Sequence, residues 1–101
     1  MLKVKAGVKP RILVMAAAVA NVAFIQGLTI TITSGTDGTH MKGSKHYTLE
    51  ALDIRSKTFP SPLSKRTFMR EVLARLGPGY QMILEQEGKP KEHFHLEWDP
   101  A

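Results

Sequence analysis

The sequence predicts an α+β domain, in which a small β-sheet packs with two main helices. Residues 12–25 have helical character from their alanines and other apolar residues, and residues 62–76 have apolar positions at helical spacing. β-branched residues and alternation predict four strands, at 28–33, 51–55, 80–85 and 92–98. A length of 101 residues suits one two-layer core, so residues 1–101 are assigned to a single domain.

The first helix has two interpretations. Its apolar run follows a basic stretch, which is also the pattern of a signal peptide. We favour a buried helix, because Pro10 suits a first helical turn and Gly27 can end the helix. Its removal would also take away most of the apolar mass against which the next strand packs. The run is too short for a stable membrane span, which needs about 20 apolar residues.

The second helix has clear signals at both ends. Ser61 suits the N-cap and Pro62 the first helical position, and the Gly-Pro-Gly at 77–79 ends the helix. Its apolar positions predict a core face: Phe68, Met69, Val72, Leu73 and Leu76. Residues 86–90 have the composition of a hairpin loop, so the third and fourth strands are expected to be neighbours.

Strand phase predicts which side chains face the core. In the first strand the leucine and isoleucines are expected to face it, with the threonines on the other side. In the second strand Asp53 and Arg55 share the face opposite the leucine and isoleucine. In the last strand His93, His95 and Glu97 share one face, and the aromatic residues and leucine face the core. A buried aspartate needs a partner, which a metal, Arg55 or a backbone turn would supply.

Composition limits the chemistry. The chain has no cysteine, so it has no disulfides, and any metal must be held by His, Asp or Glu. Its formal charge is +5, and a basic surface suits nucleic acid, anionic lipid or an anionic polymer such as a cell wall, or is merely solvated. The basic residues are dispersed, and no RNA-binding aromatic signature or zinc-finger spacing is present. We therefore expect no nucleic-acid partner.

Histidine and carboxylate spacing makes zinc plausible. His46, Asp53 and His95 would form a three-ligand set with a fourth position open, as in catalytic zinc sites. Taken singly, a loop histidine or an H-x-H strand is more often solvent-facing than a ligand. Two candidates exist for the general base that hydrolysis requires. Glu92 lies three residues before His95, but strand alternation favours His93, because Glu92 falls on the opposite face.

Two motifs resemble a known family. Residues 44–53, SKHYTLEALD, resemble the S-x-H-x-x-G-x-A-x-D signature of the zinc D-Ala-D-Ala carboxypeptidases (peptidase M15-like). That family includes D,D-dipeptidases and phage L-alanyl-D-glutamate endolysins, and it shares its fold with the Hedgehog signalling domain. Residues 92–97, EHFHLE, resemble its second motif. The likeness covers roughly residues 28–99 and is to small phage-type members.

The resemblance implies a Hedgehog/DD-peptidase-like fold, a small antiparallel sheet flanked by helices. It makes His46, Asp53 and His95 the zinc ligands and Glu92 the catalytic base. The implied activity is zinc-dependent hydrolysis of a peptide bond in the peptidoglycan stem peptide, by a D,D-carboxypeptidase or an endopeptidase of the endolysin type. Such a protein would be bacterial or phage-encoded. It would stay cytoplasmic until release to the cell wall, or be exported if the N-terminal segment is a signal.

The motifs also depart from the family pattern. The signature glycine is absent from residues 48–50, and no arginine follows the Ser-Gly turn at residues 34–35. His40, Lys42 or Arg55 would then replace that arginine, and the substrate-binding candidates are His40, Ser44 and Arg55. One alternative is a non-catalytic zinc-containing or cell-wall-binding module on the same fold. Another is a basic interaction domain without metal.

Overall fold

The computed structural model describes residues 10–36 and 50–99, with side chains from 11 to 33 and from 50 to 99. The elements in order are α1 (Pro10–Ile25), β1 (Ile32–Thr36), β2 (Glu50–Arg55), α2 (Pro62–Leu76), β3 (Tyr80–Glu85) and β4 (His93–Trp98). The strands form one sheet in the order β1-β2-β4-β3, with every neighbouring pair antiparallel. An α+β class with two helices and a small antiparallel sheet is therefore confirmed.

Helix α1 is packed into the core. Met15, Val19 and Val22 are buried, and the helix contacts both α2 and β2. Gly27 has φ of 68°, and the N–H of Leu28 donates to the carbonyl of Ala23 at 2.8 Å. This is the C-terminal turn that glycine permits at low cost, so the predicted helix end is confirmed. Within residues 10–36 and 50–99, no helix is both long and apolar enough to span a membrane.

The first strand was predicted at residues 28–33, and that prediction is wrong in its limits. Strand β1 begins only at Ile32, because β2 ends at Arg55 and leaves earlier residues without a strand to pair with. The N–H of Arg55 donates to the carbonyl of Thr31 at the end of this ladder. Residues 28 and 30 still pack against the core, as their alternation predicts, whereas Ile32 is exposed.

Helix α2 and strand β3 have the predicted limits. The hydroxyl of Ser61 accepts from the N–H of Ser64, and the Ser64 hydroxyl accepts from the N–H of Ser61, each at 3.1 Å. This reciprocal cap satisfies two backbone donors that have no helical partner. Phe68 and Val72 are fully buried, and the other three residues of the predicted core face pack against them.

The core lies on one face of the sheet. Both helices contribute to it, together with Leu52 and Ile54 of β2 and Phe94 and Leu96 of β4. Phe94 meets the rings of two other phenylalanines at centroid distances of 5.0 and 5.2 Å. Because side chains alternate along a strand, the residues between these core positions lie on the face turned away from the helices. That face carries the polar side chains of interest.

Candidate metal centre

The two central strands bring Asp53 and His95 together. Strand β2 pairs with β4 in a register that sets Asp53 directly opposite His95. Nδ1 of His95 lies 2.9 Å from Oδ1 of Asp53, a hydrogen-bonding distance. Each residue is flanked along its strand by buried apolar neighbours, so both side chains leave the sheet on the face opposite the core. These two candidate ligands therefore lie next to each other, as expected from the sequence.

Glu85, on the edge strand β3, faces the same point. Its Oε1 lies 3.7 Å from Nδ1 of His95 and 3.3 Å from Nε2 of His93. The register places Glu85 opposite His93. One atom from each of Asp53, Glu85 and His95 lies within 4.8 Å of the others, close enough together to hold a metal ion. Imidazole nitrogen and carboxylate oxygen are ligands that zinc accepts, so this donor set suits zinc.

His95 has a carboxylate at each ring nitrogen. Its Nε2 lies 3.1 Å from Oε1 of Glu97, while Nδ1 faces Asp53. A neutral imidazole has only one N–H, and an ionised carboxylate only accepts hydrogen bonds. If Nε2–H donates to Glu97, the lone pair of Nδ1 faces an oxygen of Asp53. In that tautomer, a metal ion between Nδ1 and Asp53 would satisfy both groups.

His93 lies beside this cluster. Its Nε2 is 4.0 Å from Oδ1 of Asp53, and its Nδ1 is 2.9 Å from the carbonyl oxygen of Lys91. The bond to that carbonyl is the largest cause that raises the pKa of His93. Burial acts in the opposite direction, and the negative charges of Asp53 and Glu85 add to the rise. The Nδ1–H is committed to Lys91, which leaves Nε2 to exchange a proton on the cluster side.

Glu92 belongs to a different network. Lys65 Nζ and Ser56 Oγ each donate to its Oε1 at 2.6 Å, and the N–H of Gly88 donates to Oε2 at 2.9 Å. The hydrogen bond from Lys65, followed by those from Ser56 and Gly88, lowers the pKa of Glu92 from 4.5 to about 2. Its side chain is only 8% exposed, and β4 begins one residue later, at His93. The structure brings Glu92 to Lys65 on α2 rather than to His95.

The remaining predicted site residues divide into two groups. Arg55 is exposed at the end of β2, in register with His93. His40, Ser44 and His46 lie outside residues 10–36 and 50–99, and so does Lys42. Their assignments stay predictions. The sequence offered a metal, Arg55 or a backbone turn as the partner of Asp53. Among the described residues, the partner of its carboxylate is the imidazole of His95.

Sequence reasoning missed Glu85 and gave Glu97 no role. Alternation in the third strand predicts Gln81, Ile83 and Glu85 on one face, and the short hairpin connects this strand to the histidines. The register that sets Glu85 opposite His93 is not fixed by alternation alone. Comparison with known proteins adds nothing to this picture. No protein-family model matches the chain, and no curated protein or solved structure matches it either.

Proposed function

We propose that this protein is a zinc metallopeptidase that hydrolyses a peptide bond in the peptidoglycan stem peptide, on a Hedgehog/DD-peptidase-like fold. The observation that carries the proposal is the 2.9 Å contact between Asp53 and His95 on the two central strands. The sequence motifs pair the same two residues as ligands across 42 positions of the chain. Contact between a carboxylate and an imidazole that are so far apart in sequence supports a shared metal site. It argues against the alternative that they are two unrelated surface residues.

The charge arrangement around His95 supports the same proposal. Two carboxylates at the two ring nitrogens, with a third on β3, concentrate negative charge around one imidazole. A divalent cation offsets that charge and accepts the lone pair of Nδ1. Asp53 and His95 would hold it, together with His46 as the motif implies. Zinc supplies Lewis-acid polarisation of the scissile carbonyl and a lowered pKa of the attacking water.

We assign the proton transfer to His93. Its Nε2 faces Asp53 and Glu85, so it can take a proton from the attacking water and hold it beside two negative charges. The same atom can then deliver the proton to the leaving amine. The sequence left His93 and Glu92 as competing bases. The contacts of Glu92 with Lys65 and Ser56, and its pKa of about 2, make it a poor proton acceptor at neutral pH.

The substrate class comes from the sequence motifs and from charge. The resemblance is to peptidases of the bacterial wall, and the net charge of +5 favours an anionic polymer. Arg55 is an exposed cation in register with His93, which suits it to the carboxylate of a stem peptide. Export or phage-mediated release to the wall remains part of the proposal.

The test joins metal content with turnover. The full chain, purified without chelator, is expected to carry about one zinc ion and to cleave D-Ala-D-Ala or L-Ala-D-Glu peptides. His95→Ala is expected to lose both properties, whereas Glu87→Gln, in the exposed hairpin loop, keeps both. Wild-type protein that binds no zinc, or His95→Ala protein that retains wall-lytic activity, contradicts the proposal.

A second candidate is a binding module that holds metal but performs no hydrolysis. The engagement of Glu92 by Lys65 favours it, because the acid at the motif's base position is then tied to α2. Stoichiometric zinc without turnover on any wall fragment, together with co-sedimentation with purified peptidoglycan, would select this module over the enzyme.

A further inference from the structure

We propose that Glu85 is a metal ligand, so that Asp53, Glu85 and His95 form a divalent-cation site by themselves. This inference takes the metal from the proposed function and goes beyond it in the ligand set. The motif resemblance assigns His46, Asp53 and His95, and it gives no role to any residue of β3. The three proposed ligands all come from strands of one sheet, and none comes from residues 37–49.

The ligand atoms have suitable mutual distances. With zinc–oxygen and zinc–nitrogen bonds of about 2.0–2.2 Å, tetrahedral ligand atoms lie roughly 3.3–3.6 Å apart. Nδ1 of His95 is 2.9 Å from Oδ1 of Asp53 and 3.7 Å from Oε1 of Glu85. These values lie on either side of the tetrahedral separation. One ligand atom from each residue lies within 4.8 Å of the others, so rotation of the side chains would bring them toward one ion.

The sheet register directs Glu85 to this point. Glu85 lies opposite His93 on β4, and its carboxylate reaches diagonally to His95. Diagonal neighbours across an antiparallel pair are within reach of long side chains, and glutamate is long enough. Among the described residues, the ion-pair contacts of the Glu85 carboxylate are with the two imidazoles and not with a lysine or arginine. Glu85 is thus available to a metal.

Two other roles for Glu85 give different results. As a counter-ion for His93, it would leave metal affinity nearly unchanged when neutralised. As a general base, it would be needed for turnover but not for metal binding. Only if Glu85 is a ligand is its carboxylate needed for tight binding of the metal. Metal affinity of the full chain, measured without substrate, therefore separates the three roles.

The experiment uses chelator-stripped full-length protein titrated with Zn²⁺ in competition with a chromophoric chelator, and with Co²⁺ followed by its absorption spectrum. Glu85→Gln is expected to weaken Zn²⁺ binding by more than about 100-fold, beyond the 10–100-fold loss typical of a residue that only orients a ligand. Glu87→Gln is the control, since residue 87 is an exposed glutamate in the adjoining loop. His46→Ala is expected to weaken Zn²⁺ binding less than Glu85→Gln does, because the three strand residues still hold the ion.

Glu85→Gln protein that binds Zn²⁺ like wild type overturns the inference, whether or not its turnover is lost. So does His46→Ala protein that loses the metal while Glu85→Gln protein keeps it. Far-UV circular dichroism and a second substitution, Glu85→Ala, check that the change does not act through unfolding, which is not expected for a side chain 40% exposed. Metal binding that depends on Glu85, without peptide hydrolysis, would end the proposed function and leave this site standing.

Discussion

Nε2 of His95 lies 3.1 Å from Oε1 of Glu97, on the side of the ring away from Asp53. A carboxylate that accepts from one imidazole nitrogen fixes the tautomer and frees the other nitrogen for a metal. Glu97 is two residues beyond His95 on the same strand face, so no loop movement is needed to make this contact. With Nε2–H donating to Glu97, the Nδ1 lone pair of His95 would be directed at Asp53 and Glu85.

Glu97→Gln is expected to weaken Zn²⁺ binding by about 10–100-fold, because the amide holds the Nε2–H tautomer less firmly than a carboxylate. Competition titration measures the change. Glu87→Gln serves as the control for loss of one negative charge, and it should bind like wild type. Equal affinities for Glu97→Gln and wild type would mean that the contact has no influence on the metal.

His93→Gln is expected to lower kcat by about 100-fold or more while Zn²⁺ affinity changes little, because a general base commonly contributes 10²–10⁴-fold. Glutamine cannot take up the proton at the position of Nε2. Peptide hydrolysis and metal titration on the same preparation provide the two readouts. If turnover survives in His93→Gln and disappears in Glu92→Gln with metal retained, the base is Glu92.

Glu92→Gln is expected to destabilise the fold by roughly 2–4 kcal/mol at neutral pH, since its pKa of about 2 reports a carboxylate stabilised by Lys65 and Ser56. The sign follows from a folded-state pKa below the unfolded one. The stabilisation is fully present above about pH 4.5 and is lost as the pH falls toward 2.

Urea denaturation of wild type and Glu92→Gln between pH 7 and pH 2.5 tests this pH dependence. The stability difference should be constant above about pH 5 and shrink below it. Glu71→Gln is the control. It removes a partly exposed pair with Arg75, and such pairs contribute about 1 kcal/mol or less. A pH-independent difference for Glu92→Gln would show that the carboxylate charge is not what stabilises this network.

Gly79→Ala is expected to destabilise the fold more than Gly88→Ala, although both glycines have positive φ, of 91° and 79°. A Cβ on Gly79 would overlap the ring of Trp98, whereas a Cβ on Gly88 would have no heavy atom within 4 Å. Backbone strain alone costs about 1–2 kcal/mol, and overpacking adds roughly 1–3 kcal/mol. Thermal unfolding of both variants measures the difference, and equal losses would show that Trp98 moves aside freely.

Local signals were enough to predict most of the fold. The cap at Ser61 and Pro62 and the glycine after Leu76 fixed the limits of α2, because helix ends depend on residues near them in sequence. Strand alternation likewise placed His93, His95 and Glu97 on one face. Strand β1 was misplaced because its start depends on where β2 ends. The end of β2 is set by residues of β2, so it cannot be inferred from residues 28–33.

The candidate site was predictable only in part, for a related reason. The pairing of Asp53 with His95 came from motif resemblance, and no local pattern would have joined residues so far apart. Glu85 depends on the pairing register between β3 and β4, which sequence alternation alone does not give. The motif resemblance made Glu92 the base, but its carboxylate has the phase of Phe94 and meets Lys65 of α2 instead.

The sheet order has one more consequence. Asp53 and His95 come from adjacent central strands and are 42 positions apart, with α2 and β3 between them. An ion held by both residues would close that long segment into a loop, as a disulfide does, and would bind the native chain but not the unfolded one. Metal supply would thus control how long the folded protein resists heat and proteases. Removal of the ion by a chelator would lower the free energy of unfolding and speed degradation.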